Sequence, residues 1–368
     1  MKPSKKLIAA LILGMISFNF TACDKKDISN STVEESKLEN KQSSKKHLNF
    51  SDVVIVRQKG NENDIFNLQD YKLSDIGKLD DLSGLLYNKD KSVYIYLLNT
   101  FDKEGVLHNK IKVEKGNDEV ILNQSFLYSD LKMSSDGLKI AYRSFKDKTI
   151  TSAEGMSIYD IKEFKKIKID SEVLISGNLY QWLNEDEILY YGAIPGKLNS
   201  NKIYKYDLRS KQEKVYYDNI DGYCMYFFPI ENKGVLFLEN SEEESRVCYF
   251  DSEKNKKTVL SNSIKQIYKS VFDSKNNVVY FLGKIFGEND TALYKLDLQN
   301  TKIERITYDL PKSVDEKAGL VMDKDYNVIF GGVNLENKDN DVYLYNLKDN
   351  TTRLITNHSG IYRIYGEK

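Results

Sequence analysis

Histidine, cysteine, proline and tryptophan are nearly missing from this chain of 368 residues, which holds three, three, four and one of them. Three cysteines cannot build a disulfide scaffold, so a folded domain here must rest on its apolar core. The histidines, His47, His108 and His358, are scattered and form no His-Glu-x-x-His helix for zinc. Gly-x-Ser-x-Gly, the phosphate-binding loop and Gly-x-Gly-x-x-Gly are missing too, which leaves no nucleophile elbow and no nucleotide cradle. Charge of one sign is also lacking. Lys and Arg number 54 against 55 Asp and Glu, a net charge of −1, so no basic surplus points to nucleic acid. The one long apolar run, Leu7 to Phe20, is fourteen residues and too short for a comfortable membrane span.

That run follows Lys2, Lys5 and Lys6 and ends at Phe20-Thr21-Ala22-Cys23. The segment resembles the signal and lipobox of bacterial lipoproteins, in which the cysteine is acylated and becomes the first residue. The resemblance implies a cleaved signal peptide over 1–22 and a lipid on Cys23. It also implies an address at the extracytoplasmic face of the cell membrane, anchored without spanning. From there to residue 50 the chain is almost wholly polar, and such a stretch cannot bury enough apolar surface to offset the entropy of ordering. The expected organisation is a lipidated cysteine with a disordered tether over 23–50, then one folded domain over 51–368.

Within 51–368 a short pattern recurs. Its clearest copies are Ile203-Tyr204-Lys205-Tyr206-Asp207-Leu208, Leu293-Tyr294-Lys295-Leu296-Asp297-Leu298 and Val342-Tyr343-Leu344-Tyr345-Asn346-Leu347. The polar residue closing each copy falls at 69, 114, 160, 207, 251, 297 and 346, in steps of 44 to 49. A period in the forties made of short β segments is that of β-propeller blades, and seven copies predict seven four-stranded blades. The segment before each copy is apolar almost throughout, as in Val278-Val279-Tyr280-Phe281-Leu282, which suits a strand buried on both faces. The N-terminal end, 53–73, supplies only three strands. The C-terminal segment 361–365 is a spare first strand, so the ring closes if that segment joins the opening blade and removes both free sheet edges.

Met133-Ser134-Ser135-Asp136-Gly137-Leu138-Lys139-Ile140-Ala141-Tyr142 resembles the Ser-Pro-Asp-Gly-Lys-x-Ile-Ala-Phe repeat of TolB-like, PD40-type propellers, with Ser135 at the usual proline. Six blades, usual for that family, is the alternative count. The resemblance implies a role in an envelope complex and a protein partner. The Gly-His and Trp-Asp pairs of WD40 blades are missing.

The candidate site residues are few. Trp182 and Tyr180 sit on an expected innermost strand, where core packing and ligand contact compete. His108 and His358 are expected in loops of one face, where solvated histidines are the simple reading and a shared metal the sharper one. The repeated Asp at 160, 207, 251 and 297 reads as a turn cap accepting backbone N–H groups. Cys224 and Cys248 fall on strands separated by a third, about 9–10 Å apart and beyond disulfide reach, so two buried free thiols are expected. No catalytic residue, metal or cofactor is assigned. Long connections at Asn99–Lys110, Phe145–Gly155, Gly192–Lys202, Gly283–Thr291 and Asp309–Gly319 all belong to one face, where binding on a rigid scaffold is concentrated. The expected function is a membrane-anchored binding module for a protein, peptide or glycan, without nucleic acid. The alternative is a propeller hydrolase or lyase with carboxylates and a tyrosine in the central funnel. A chain ending at Gly360 loses the closing strand, and its melting temperature is expected to fall by more than about 10 °C; an unchanged thermal transition would contradict ring closure.

Overall fold

In the computed structural model the described residues are 48–368 except 243, 309 and 335–338. The signal peptide expected over 1–22, Cys23 and His47 lie outside them. The folded unit is Leu48–Lys368, and Phe50 already packs in its core against Tyr87 and Tyr94.

Seven four-stranded antiparallel sheets are arranged as blades. Blade 1 takes Val53–Lys59, Glu62–Gln69 and Lys72–Asp80 from the N-terminal side, and its innermost strand is Ile361–Gly366. Blades 2 to 7 begin with inner strands Leu82–Asn88, Leu127–Met133, Leu174–Trp182, Tyr223–Ile230, Ile264–Asp273 and Ser313–Met322. All seven copies of the sequence repeat fall on third strands.

The second strands show why the blades need one another. Successive side chains on a strand point to opposite faces. In blade 1, Val53 and Ile55 pack into a cluster with blade 7, whereas Val54 and Val56 pack into a cluster with blade 2. Blade 6 repeats the division: Val279 and Phe281 meet blade 5, Tyr280 and Leu282 meet blade 7. The buried apolar residues form seven clusters, one at each seam between blades. Each fully buried Val, Leu, Ile or Phe is worth about 1.5–3 kcal/mol, and none of it is available to an isolated blade with both faces in water. Cys224 and Cys248 lie in one such cluster as free buried thiols. Burial drives both thiols up, Cys248 to about 12, so neither is a thiolate near neutral pH.

The repeated carboxylates act as turn caps. Asp207 accepts from the N–H groups of Arg209 and Ser210, Asp251 from Glu253 and Lys254, Asp297 from Gln299 and Asn300. Four residues after each of these, Lys211, Asn255 and Thr301 take positive φ, completing the same hairpin in successive blades. The Ser134-Ser135-Asp136-Gly137 turn of blade 3 places Gly137 at φ 73°, where a Cβ would lie 2.7 Å from Asn88 of blade 2.

The ring closes through the C-terminal strand, which pairs with Val53–Gln58 over six residue pairs. Asn340, buried in blade 7, fastens it from one side. Its Oδ1 accepts the Tyr362 N–H at 2.6 Å, and its amide donates to the Tyr362 carbonyl at 3.1 Å and to Asp315 at 2.5 Å. From the other side Lys89 of blade 2 donates its backbone N–H to Glu367, just past the closing strand, at 2.8 Å and pairs its ammonium with the same carboxylate at 2.9 Å, while the Tyr87 hydroxyl donates to the Ser51 carbonyl at 2.9 Å, just ahead of the opening strand. Asn340→Ala strands the Tyr362 N–H and one Asp315 oxygen in the interior. The expected loss is about 2–4 kcal/mol by urea denaturation; a loss under about 0.5 kcal/mol would show that the closing strand does not depend on this latch.

Candidate functional site

Because the four strands of each blade alternate in direction, the second-to-third and fourth-to-first connections share one face, and the tight hairpins share the other. Two of the long connections expected there are shorter than the sequence implied. Strand pairing runs on through Asn99–Asn109, Thr100–His108 and Phe101–Leu107, leaving only a turn capped by Asp102. The inner strand of blade 7 begins at Ser313, within the expected Asp309–Gly319 loop. Connections at 146–152, 194–201 and 286–290 remain.

The long-loop face holds a cleft of about 520 Å³ at the seam of blades 6 and 7. Its walls include Asp290, Thr291, Arg305, Thr307, Tyr308 and Lys312. The polar walls are braced before any ligand arrives. Arg305 donates to the Thr307 carbonyl at 2.8 Å, pairs with Glu288 at 3.2 Å and lies 5.6 Å from the ring centre of exposed Tyr308. Lys312 is held by Asp341 at 2.5 Å. Thr307 accepts the Leu293 N–H at 3.0 Å.

The same face carries exposed apolar side chains from many blades. Phe101, Ile150, Leu198, Tyr223, Phe286 and Tyr308 are all exposed there, Ile150 and Leu198 by 80% and 91%. Of the remaining exposed large hydrophobics among the described residues, Ile121, Val215, Val259 and Leu354 lie on outermost strands, Leu174, Met225 and Ile361 on inner strands, Leu107 on a third strand, and Tyr71 in a tight hairpin. Sequence reading missed this set because its members are scattered along the chain and share no periodicity.

The sequence-derived candidates are placed as follows. His108 lies on the third strand of blade 2, not in a loop, because that hairpin extends past the packed body of the blade. It has an acidic partner that the sequence did not reveal: Asp102 at 3.2 Å, with the Phe126 ring tilted against it at 4.2 Å between centroids. The Val106 N–H and His108 hold the Asp102 carboxyl below its usual range. His358 is exposed in the loop before the closing strand, and its carbonyl accepts from the Tyr362 hydroxyl. Nothing on the described residues brings the two histidines to a common ligand, and no group of three His, Cys, Asp or Glu converges among those residues. Tyr180 is fully buried, its hydroxyl donating to the Asp130 carbonyl at 2.7 Å; Trp182 donates its indole N–H to the Lys132 carbonyl at 3.0 Å. Both tie the inner strand of blade 4 to that of blade 3.

The inner strands of blades 4 and 5 carry no acid at 180–183 or 225–228, as the sequence indicated, but blade 3 supplies Asp130, blade 6 Asp273, and blade 7 Asp315 and Glu316. Asp130 and Asp315 are not free carboxylates. Arg143 grips Asp130 at 2.6 Å, and Asp315 receives Asn340 with Arg363 at 4.0 Å.

No protein-family model matches the chain, and no curated protein matches it either. Solved structures do. The protein lmo1340 from Listeria monocytogenes superposes at TM-score 0.56, with 14% identity over 83% of this chain and 91% of its own. A puromycin hydrolase matches at TM-score 0.52 and 9% identity over 76% of this chain. The chain spans about half of that hydrolase's length, 48%. TolB from Acinetobacter baumannii reaches TM-score 0.45 at 12% identity over 86% of this chain and 83% of its own, below the level that carries weight. At these identities the likeness shows the fold alone: this is a seven-bladed β-propeller.

Proposed function

We propose that this propeller is an extracytoplasmic binding module, held at the membrane by a lipid on Cys23, that recognises a protein partner through its long-loop face. The observation that carries the reading is the recurrence of exposed apolar side chains on that face, with Tyr308 also in the wall of the braced cleft between blades 6 and 7. Aromatic residues beside an arginine, as with Tyr308 and Arg305, are the side chains that carry binding energy at protein interfaces. The binding reading is also supported by Asp130 and Asp315 of the inner strands, which are committed to Arg143 and Asn340 instead of facing each other as an acid–base pair.

The test uses the full chain in its native membrane, with a photo-crosslinking residue at Leu198 or Phe286 on one face, or at Asn276 on the other. Adducts to a polypeptide are expected from the first two positions and not from Asn276, and Cys23→Ser is expected to release the protein from the membrane fraction. Equal adducts from both faces, or none from Leu198 and Phe286, would overturn the docking face. Retention of C23S at the membrane would overturn the anchor.

A further inference from the structure

The cleft between blades 6 and 7 is assembled from parts of the chain that only the fold brings together. Asp290 and Thr291 lie where the third strand of blade 6 begins, Arg305 to Lys312 cross from blade 6 to blade 7, and Val314 and Val333 come from the first two strands of blade 7. A second cavity of about 290 Å³ adjoins it. Thr307, Tyr308, Leu310 and Pro311 wall both cavities, and Tyr343 and Thr352 carry the second along the third and fourth strands of blade 7. The site is therefore elongated, and its main chamber of about 520 Å³ falls within the range of small-molecule sites, about 300–1,000 Å³.

Its walls are mixed in charge. Arg305 and Lys312 have counter-ions, Glu288 and Asp341, that are not themselves part of the lining. Asp290 is exposed in the wall and has no ion-pair or hydrogen-bond partner among the described residues. A ligand carboxylate or phosphate entering here meets Asp290, and a ligand ammonium meets Arg305 and Lys312. A neutral ligand meets neither repulsion.

The uncommitted hydrogen-bonding capacity is also of both kinds. Ionised Asp290 can only accept. Buried Thr307 accepts the Leu293 N–H at 3.0 Å, which leaves its hydroxyl proton without an acceptor among the described residues. Lys312 binds Asp341 and keeps further protons to donate. Ligand hydroxyls, which donate and accept at once, match such a wall.

Tyr308 adds a flat apolar surface. It is 71% exposed and yet held, because Arg305 lies over its ring at 5.6 Å from the centre and is itself tied to Glu288 and to the Thr307 carbonyl. One ring face is taken and the other is left to a ligand. The negative face of an aromatic ring attracts the C–H groups of a sugar ring, whose hydroxyls then point outward to polar walls. A ring fixed beforehand costs little to order on binding.

We propose that this cleft binds a neutral oligosaccharide, with one sugar ring stacked on Tyr308 and its hydroxyls shared among Asp290, Thr307 and Lys312. The site goes beyond the docking of a polypeptide on the loop tips and does not depend on it.

The test titrates the purified full chain by calorimetry, in a polyoxyethylene detergent that has no sugar headgroup. The neutral probes are the trimers of N-acetylglucosamine, of β-1,4-linked glucose and of α-1,4-linked glucose. The charged probes are the trimers of glucosamine and of galacturonic acid. At least one neutral trimer is expected to bind with Kd below about 10 mM, and both charged trimers at least about tenfold more weakly than it. Tyr308→Ala is expected to weaken the neutral trimer at least about tenfold, whereas Tyr308→Phe, which keeps the ring, stays within about threefold. Both positions of contact, Tyr308 and Asp290, are exposed, so the melting temperature of Y308A or D290A should stay within about 2 °C of the parent. Asp290→Ala is expected to weaken the neutral trimer and to narrow its advantage over the galacturonate trimer. No neutral trimer binding below about 10 mM, tighter binding of either charged trimer, or equal binding by Y308A would overturn the site. Crosslinks from Leu198 and Phe286 are read in the parent chain without sugar, so failure of the docking face and failure of the sugar site are separate results.

Discussion

A sheet that is apolar on both faces cannot stand alone in water. That constraint governs this molecule more than any single bond. The division of Val53 and Ile55 from Val54 and Val56 sends alternate side chains of one strand into two different seams. The same division recurs in later blades, so every blade is half of two cores. Seven half-shared cores have no natural end, and an open row would leave one apolar face exposed at each extremity. Closure through Ile361–Gly366 removes both, and Asn340 of blade 7 holds that strand in place.

The rest of the architecture follows from closure. Blades fixed on both sides cannot adjust, so variation moves to the connections and to the inner edge. The connections on one face carry the cleft and the exposed apolar tips. The inner edges carry bulges in six of the seven blades.

Much of the fold could be read from the chain because its third strands are regular. A pattern such as Ile203-Tyr204-Lys205-Tyr206-Asp207 joins period-two alternation to a turn cap, and both survive in the structure. The spare strand at 361–365 was legible for the same reason. The long-loop face was legible from topology, but its apolar tips were not, since Leu198 or Phe286 alone in a polar turn has no periodicity. His108 was misplaced because strand pairing continues through a polar segment that hydrophobic alternation does not mark.

Native-state hydrogen exchange across a series of low denaturant concentrations tests the central claim most directly. If the closing strand is an integral part of every other blade's burial, the amides of Arg363 and Tyr365 open only with the whole domain. They should then share the free energy and denaturant slope of Leu189 and Tyr190 in the middle of blade 4. Exchange of Arg363 and Tyr365 by a smaller, denaturant-insensitive opening, with blade 4 still protected, would show that the ring stands without its seam.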